Sequence, residues 1–255
     1  MSFQSSPLHT IDDVLRELDA IIARSLERND AAGIFAYVYR RTTAQVKEGI
    51  LEKCFEDNER MERLDVVFAR RYIEAYRQWE SGQAPPDSWQ LAFSACHKPL
   101  TIFQHVLLGM NAHINFDLGI AAAEVAPEAS IESLENDFLA INGLLADIVD
   151  ELQSRLSRVS PLFFVIDWLG GRRDEAVINL NIQKARGLAW ELACRLAQAS
   201  TGAEREEYIR AANALTLQLG RLIERPPGRL LPNALRFVRW WEVKDIRQVL
   251  EKLQA

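Results

Sequence analysis

The chain has 255 residues, of which 48% are hydrophobic and 26% charged, and its formal net charge is −6 at pH 7. This length and composition allow one large helical domain with a sizeable core. Because acidic and basic residues are mixed along the sequence and no basic stripe is present, we expect no nucleic-acid partner.

Helical periodicity begins near the N-terminus. The first helix is predicted from Ile11 to Leu26, because apolar residues recur at steps of three and four and Thr10 is a suitable N-cap. A second helix follows Asp30, and a third runs through "NERMERLDVVFARRYIEAYRQWE" until the paired prolines of "SGQAPPDS" end it. A short helix at "DSWQLAFSAC" is expected to end before Pro99.

The next predicted helix, at about residues 100–125, is apolar on all sides. It contains no Lys, Arg or Glu between Leu100 and Ala123. A helix of this kind is usually the central one of a globular bundle. The remaining predicted helices cover about residues 131–158, 173–199, 203–224 and 233–255.

These elements together define the expected architecture. No segment shows sustained two-residue alternation, and no internal repeat is visible. The sequence therefore predicts an all-α fold, a single large helical bundle of about eight helices around the central apolar helix at about 100–125. We expect one domain over residues 1–255, with the C-terminal amphipathic helix at 233–255 as a candidate peripheral element.

The cysteines and the N-terminus bear on the cellular compartment. Cys54, Cys96 and Cys194 are far apart and lack CxxC spacing, which argues against a disulfide framework and a thiolate zinc site. The N-terminus lacks a basic start followed by an apolar run, and no stretch reaches about 18 uncharged apolar residues. We therefore expect a cytoplasmic protein without a secretory signal or a membrane span; the oligomeric state stays open.

The central helix carries an unusually polar stretch, "MNAHINFDLG", at residues 110–119. His113 and Asp117 stand one turn apart, the spacing at which a carboxylate accepts a ring N–H or both groups face one cation. A buried charge must be paired, so Asp117 needs a partner. Asp65 lies on the buried face of the third helix, away from Arg70 and Arg71. Further candidate ligand-binding residues of this interior are Asn111, Asn115, His105, Asp137, Arg186 and Trp190.

Four segments resemble, in the same order, a bacterial family of uncharacterised all-helical proteins, domain of unknown function 5995. They are "ERMERLDVVFARRY", "GMNAHINFDLGIA", "NDFLAINGLL" and "ARGLAWELA", and "MNAHIN-x-DL" is the most specific part. The resemblance spans about Gly33 to Leu196 and implies a shared fold, without an activity, substrate or cofactor. On matching positions it points to Asp65, Asn111, His113, Asn115, Asp117, Asp137, Asn142, Arg186 and Trp190.

Three functions stay open at this point. The first is an enzyme acting on a small organic molecule, with His113 as general base oriented by Asp117, Asp65 nearby and amides from Asn111 and Asn115. In a metal-assisted version of this enzyme, the carboxylates and His113 hold a divalent ion. The second is a non-catalytic binder of an apolar ligand. The third is an interaction protein that uses the C-terminal aromatic helix on a partner or a membrane surface.

Each candidate residue also has a purely structural interpretation. Buried polar networks often serve only to specify the fold, and this holds for His113 with Asp117. Asp65 could equally be the counter-ion of Arg186, or of Arg40 and Arg41. No HExxH motif, glycine-rich phosphate loop or GxSxG elbow is present, so the familiar catalytic motifs do not decide between these interpretations.

Overall fold

The computed structural model describes residues 8–126, 130–141 and 174–254. Within these ranges it contains ten α-helices and no strand, which confirms the predicted all-α fold. The count is ten rather than about eight. Both the predicted central helix and the predicted C-terminal helix are divided into two.

The helices run in the following order. They are α1 (Ile11–Arg28), α2 (Ala32–Leu51), α3 (Asn58–Glu80), α4 (Asp87–Ala95), α5 (Ile102–Ala112), α6 (Leu118–Val125), α7 (Asp174–Gln198), α8 (Gly202–Glu224), α9 (Leu230–Trp241) and α10 (Ile246–Gln254). A π-helical turn, His113–Asp117, joins α5 to α6, and a 3₁₀ turn, Ile131–Leu134, leads into helical residues 135–141. The rest of the predicted helix at 131–158 lies outside the described residues.

Side-chain caps fix where several helices start. The Thr10 hydroxyl accepts a hydrogen bond from the amide of Asp13, whose carboxylate accepts from the amide of Thr10 at 2.9 Å. Thr101 and Gln104 form the same reciprocal arrangement at the start of α5. Such a cap stabilises a helix by about 1 kcal/mol because it satisfies backbone amides that lack an intrahelical partner. The predicted cap at Thr10 is confirmed.

The segment formed by α5, the π turn and α6 runs through the middle of the molecule. It packs against α2, α3, α4, α7 and α8, as a central helix should. Two glycines allow the closest approaches. A Cβ atom at Gly109 would lie 2.3 Å from the Phe35 ring, and one at Gly119 would lie 2.5 Å from the backbone oxygen of Ala189. Larger residues at these two positions would force the neighbouring helices apart.

The central segment is also long and apolar enough to cross a membrane, which the sequence analysis did not predict. By length and composition, Ile102–Val125 is the one such stretch among the described residues, with a mean hydropathy of 1.2 over its most apolar window. Of that window, 72% is buried inside the protein. A helix that is buried to this extent is typical of the core of a globular protein.

The C-terminal part folds back onto the bundle as two helices. α10 buries its apolar residues against α1 and α2, and the Tyr37 hydroxyl donates to the backbone oxygen of Leu253 at 3.1 Å. α9 buries Leu235 and Val238. The opposite side of α9 exposes four large apolar side chains, Leu230, Phe237, Trp240 and Trp241. α10 is therefore part of the core, whereas α9 presents an exposed apolar face.

Candidate functional site

The polar stretch of the central helix adopts an unusual backbone conformation. Residues His113–Asp117 form a π-helical turn, in which the amide of Leu118 donates to the carbonyl of His113 five residues earlier. A single π turn inside an α-helix is rare and occurs frequently at functional sites. The distortion therefore coincides with the residues that the sequence analysis selected.

His113 and Asp117 form a hydrogen-bonded pair inside the protein. The distance from His113 Nδ1 to Asp117 Oδ2 is 3.1 Å. Trp89 Nε1 donates to the same oxygen at 2.8 Å, and Arg71 Nε donates to Oδ1 at 3.3 Å. The expectation that Asp117 needs a partner is thus confirmed. Because an ionised carboxylate only accepts hydrogen bonds, Nδ1 of His113 carries the proton.

Arg71 corrects one assignment of the sequence analysis, which placed it on the solvent face of α3. Its side chain is 26% exposed and pairs with Asp117, which is almost completely buried. The long arginine stem lets the guanidinium reach inward from the edge of the helix. Arg71 and Trp89 together hold the Asp117 carboxylate in place.

Aromatic side chains surround the His113 ring. The Phe68 ring stacks on it with a centroid distance of 3.6 Å and an interplanar angle of 5°, and the Tyr39 ring meets it edge-on at 4.4 Å. The wider set of rings within about 6 Å also includes Phe35, Tyr72 and Trp89. This aromatic cluster keeps the imidazole away from bulk water.

The second ring nitrogen of His113 has no protein partner. Nε2 is buried and makes no hydrogen bond to any residue that the structure describes. Burial lowers the pKa of His113, while the hydrogen bond that the ring donates to Asp117 acts in the opposite direction. At neutral pH the ring is thus neutral, with its proton on Nδ1 and a free lone pair on Nε2.

Asp65 is a second buried acid close to this cluster. It lies on α3 one turn before Phe68 and is 8% exposed. Burial raises its pKa to about 8, with a smaller contribution from Glu62. Its charge is also felt by Tyr39, whose pKa is raised by burial and then by Asp65. Asp65 therefore carries a proton at neutral pH, and when it is ionised its charge acts on Tyr39, whose ring meets that of His113 edge-on.

The interpretation of Asp65 as a counter-ion does not hold within the described residues. No ion pair or hydrogen bond joins its side chain to another of these residues, and its Oδ2 atom is buried without a partner. Arg40 pairs with Asp19 at 2.6 Å. Arg186 instead donates to the backbone oxygen of Phe138. A buried acid without a counter-ion stays protonated, which is the state that its raised pKa indicates.

Because Asp65 is protonated at neutral pH only in the folded protein, we expect the free energy of unfolding to depend on pH. In the unfolded chain the pKa of Asp65 returns to its ordinary value of 3.8, whereas in the folded protein it is about 8. Between these pH values the folded state holds one more proton, so Asp65 lowers the free energy of unfolding as the pH rises. Asp65→Asn imitates the protonated acid. We expect its stability relative to the wild type to increase by more than about 1 kcal/mol from pH 5 to pH 8.

Urea unfolding at pH 5 and pH 8 measures this difference. Asp87→Asn is a matched control, since Asp87 is exposed in the first turn of α4. An Asp65→Asn difference that is the same at both pH values would show that Asp65 is ionised throughout.

Asn111 and Asn115 lie on a different side of the central segment. The Asn115 amide donates to Asn111 Oδ1 at 3.0 Å, and the Asn111 amide donates to the backbone oxygen of Thr216 at 2.9 Å. These bonds connect the central segment to α8, whereas His113 contacts rings from α2, α3 and α4. The two amides are therefore not brought together with His113, and ligand binding by them stays a prediction.

Asp137, Arg186 and Trp190 form a third group. Asp137 Oδ1 accepts from the amide of Glu56 at 2.7 Å, and its Oδ2 accepts from Arg60 at 2.9 Å. Arg186 lies over the Phe138 ring at 4.5 Å, and burial lowers its pKa to about 10. The Trp190 ring lies 5.0 Å from the same phenylalanine. These contacts join residues 130–141 to α3 and α7, apart from the His113 cluster.

The remaining candidate residues are also not brought together with His113 by the described structure. His105 is buried, and burial followed by the charge of Arg239 lowers its pKa to about 4. It faces a separate cavity near the C-terminal helices. Asn142 lies outside the described residues. Among the residues that the structure describes, no three His, Cys, Asp or Glu side chains are grouped so that they could hold a metal ion.

The sequence analysis missed four residues that build the site. Tyr39 and Phe68 enclose the imidazole, and Trp89 and Arg71 fix its acid. A signal was available for Trp89, because a buried indole N–H needs an acceptor and an apolar helix offers few. No comparable signal marks the two rings, since aromatic residues on a buried helix face are expected in any core.

Comparison with known proteins gives one match. The model of a family described as "Family of unknown function (DUF5995)" matches residues 11–226. No curated protein and no solved structure matches the chain. The matched range contains the whole His113 cluster and ends shortly after α8.

Proposed function

This chain belongs to the family of unknown function DUF5995, and we propose that it is an enzyme in which His113 acts as general base on a small organic molecule. One observation carries this proposal. His113 Nδ1 is hydrogen-bonded to a carboxylate that is itself fixed by two donors, while Nε2 is buried and bonds to none of the residues that the structure describes. A histidine oriented in this way offers a lone pair of defined direction, as general bases require.

The chemistry follows from the two ring nitrogens. Nε2 takes a proton from the substrate or from a water molecule next to it, and the ring becomes an imidazolium. The negative charge of Asp117, 3.1 Å from Nδ1, stabilises that cation. Trp89 and Arg71 keep the carboxylate from turning away, so the ring does not have to reorient during the proton transfer.

Asp65 supplies the complementary group in this proposal. Because its pKa is raised to about 8, it is a proton donor at the pH at which His113 is a proton acceptor. Two titratable groups whose environments move their pKa values in opposite directions are typical of acid–base pairs in enzymes. The aromatic cluster around them favours a substrate that is at least partly apolar.

An untargeted turnover assay tests the proposal. The purified protein is incubated with a bacterial extract of small molecules, and consumed and formed compounds are followed by mass spectrometry. We expect at least one compound to be converted by the wild type and by His97→Gln, a matched control at an exposed histidine, but not by His113→Gln. No conversion by the wild type, or equal conversion by His113→Gln, would contradict the proposal.

The alternative functions give different results in this assay. A non-catalytic binder of an apolar ligand would retain a compound without converting it, and His113→Gln would leave that retention nearly unchanged. An interaction protein would use the exposed face of α9, which includes Trp240 and Trp241. That case is tested by substituting these two tryptophans rather than by deletion, because α10 beyond them belongs to the core.

The metal-assisted version of the enzyme lacks structural support. A divalent ion at His113 would need further ligands beside Asp117, whose oxygens already accept from His113, Trp89 and Arg71. Asp65 is protonated at neutral pH, and protons compete with a metal for a carboxylate. The proposal therefore rests on proton transfer by the residues of the chain itself.

A further inference from the structure

A second site lies two helical turns before His113, where the start of the central segment meets the C-terminal helices. A partly enclosed cavity of about 80 Å³ opens there. Its walls come from the linker between α1 and α2 with the first turn of α2, from the loop before α5 with the first turn of α5, and from α9 with the linker and the start of α10. A single water molecule needs only about 10–15 Å³ of such space, so this cavity can hold a small molecule.

The charged side chains that line the cavity are cationic. They are Lys98 from the loop before α5, Arg239 from α9 and Lys244 from the linker after α9. Two carboxylates adjoin them. Glu224 pairs with Lys98, and Glu242 lies 4.0 Å from Arg239. Asp30 and Asp245 also stand beside lining residues in the sequence, and the charge of Asp30 acts on the lining residue Cys96. The attraction for an anion therefore comes from the cations that line the cavity and not from a net positive charge of the region.

Two buried nitrogen atoms of residues that line this cavity make no hydrogen bond to any residue that the structure describes. His105 is 8% exposed, and its Nδ1 atom makes no hydrogen bond within the described structure. Arg239 Nη1 is also buried, and its nearest charged partner within the described structure, the Glu242 carboxylate, lies at 4.0 Å, beyond hydrogen-bond distance. Buried polar groups are normally satisfied, and an unsatisfied one costs about 1–3 kcal/mol. Both atoms belong to residues that line the same cavity, so one bound group could satisfy both.

We propose that this cavity binds a small oxyanion, a phosphate or carboxylate group, between His105 and Arg239. The guanidinium fork matches the geometry of such a group, and Lys244 adds a second charge from the solvent side. His105 contributes a ring nitrogen as donor, because the tautomer with its proton on Nδ1 can give a hydrogen bond to an oxygen.

The site is independent of the proposed general base. His105 faces α9 and the linker, whereas His113 contacts rings from α2, α3 and α4. Arg239 and Lys244 also lie beyond residue 226, where the family match ends. The C-terminal helices thus add a binding site to a core that belongs to the family. Anion binding at this cavity can therefore be tested independently of whether His113 acts as a general base.

Nuclear magnetic resonance of the full chain with ¹³C-labelled histidine rings tests this inference. The probes are inorganic phosphate and acetate, each titrated at constant ionic strength. We expect the chemical shift of His105 to change and to saturate with at least one of them, while the shifts of His9 and His97 show no saturating change. Saturation with phosphate alone identifies a phosphate site, and saturation with acetate alone identifies a carboxylate site.

Substitutions connect the shift to the cavity. We expect Arg239→Gln to weaken the binding about 10-fold or more, since a charged hydrogen bond is lost. Arg236→Gln, on the exposed side of the same helix, should leave the binding unchanged. If Arg239→Gln does not fold, Lys244→Gln serves instead with a smaller loss. A His105 signal that saturates with neither anion, or binding that survives the cavity substitutions unaltered, overturns the inference.

Discussion

Asp117→Asn is expected to lower turnover by about 10²–10⁴-fold, the range that a positioned general base contributes. The carboxylate accepts from His113, Trp89 and Arg71 at once. An asparagine has one oxygen and one NH₂ group, so it cannot accept all three bonds. If the NH₂ group faces His113, it selects the tautomer with the proton on Nε2, and this tautomer has no lone pair for the substrate.

The measurement is kcat for the compound that the turnover assay identifies, together with the thermal midpoint of each variant. Asp87→Asn, exposed on the helix that carries Trp89, provides the matched control and should keep full activity. The proposal predicts that Asp117→Asn loses kcat while remaining folded at the assay temperature. A folded Asp117→Asn protein with unchanged kcat would assign the acid a structural role only.

Asp137→Ala is expected to reduce the free energy of unfolding by about 3–5 kcal/mol, as is typical when one member of a buried ion pair is removed. Asp137 is 1% exposed and accepts from Arg60 and from the amides of Glu56 and Asp57. Its removal leaves the Arg60 guanidinium buried with fewer partners and frees two amides just before α3. The poorly paired guanidinium and the two unbonded amides both lower the free energy of unfolding.

Chemical unfolding of Asp137→Ala beside Glu135→Ala measures this effect. Glu135 is exposed two residues before Asp137 on the same segment, and its substitution should change stability by less than about 0.5 kcal/mol. Asp137→Asn should fall between the two, because its oxygen can still accept one bond. A loss below about 1 kcal/mol in Asp137→Ala would mean that water replaces the missing carboxylate.

The fold could be predicted because periodicity is a local property. Apolar residues at steps of three and four identified the helices, and the absence of Lys, Arg and Glu between Leu100 and Ala123 identified the central one. The π turn at His113–Asp117 was not predictable from the sequence. One extra residue in a single turn hardly changes the spacing of the apolar residues around it. The break between α9 and α10 was missed for a similar reason, because no Gly or Pro marks the end at Trp241.

The site could be predicted only as far as single side chains. A histidine and an acid one turn apart on an apolar helix must be buried and bonded, and His113 with Asp117 are. Their partners come from three other helices, and a single sequence does not say which residues on different helices are in contact. For this reason Arg71 was assigned to the surface, and Asn111 was grouped with a cluster that it does not contact.

The structural interpretation of the cluster predicts a different set of results from the enzyme proposal. If the polar groups only specify the fold, substitutions at His113 and Asp117 change stability alone. That interpretation accounts for the bonds of Asp117. It does not explain why, among the described residues, Nε2 of His113 and the Asp65 carboxyl are buried without a bonding partner, which costs free energy at both positions.

The most direct measurement is the ¹⁵N–¹H correlation spectrum of the histidine side chains at pH 7, with His113 assigned through His113→Gln. The account predicts a neutral His113 ring with its proton on Nδ1 and an unprotonated Nε2. A proton on Nε2, or a doubly protonated ring, would contradict it.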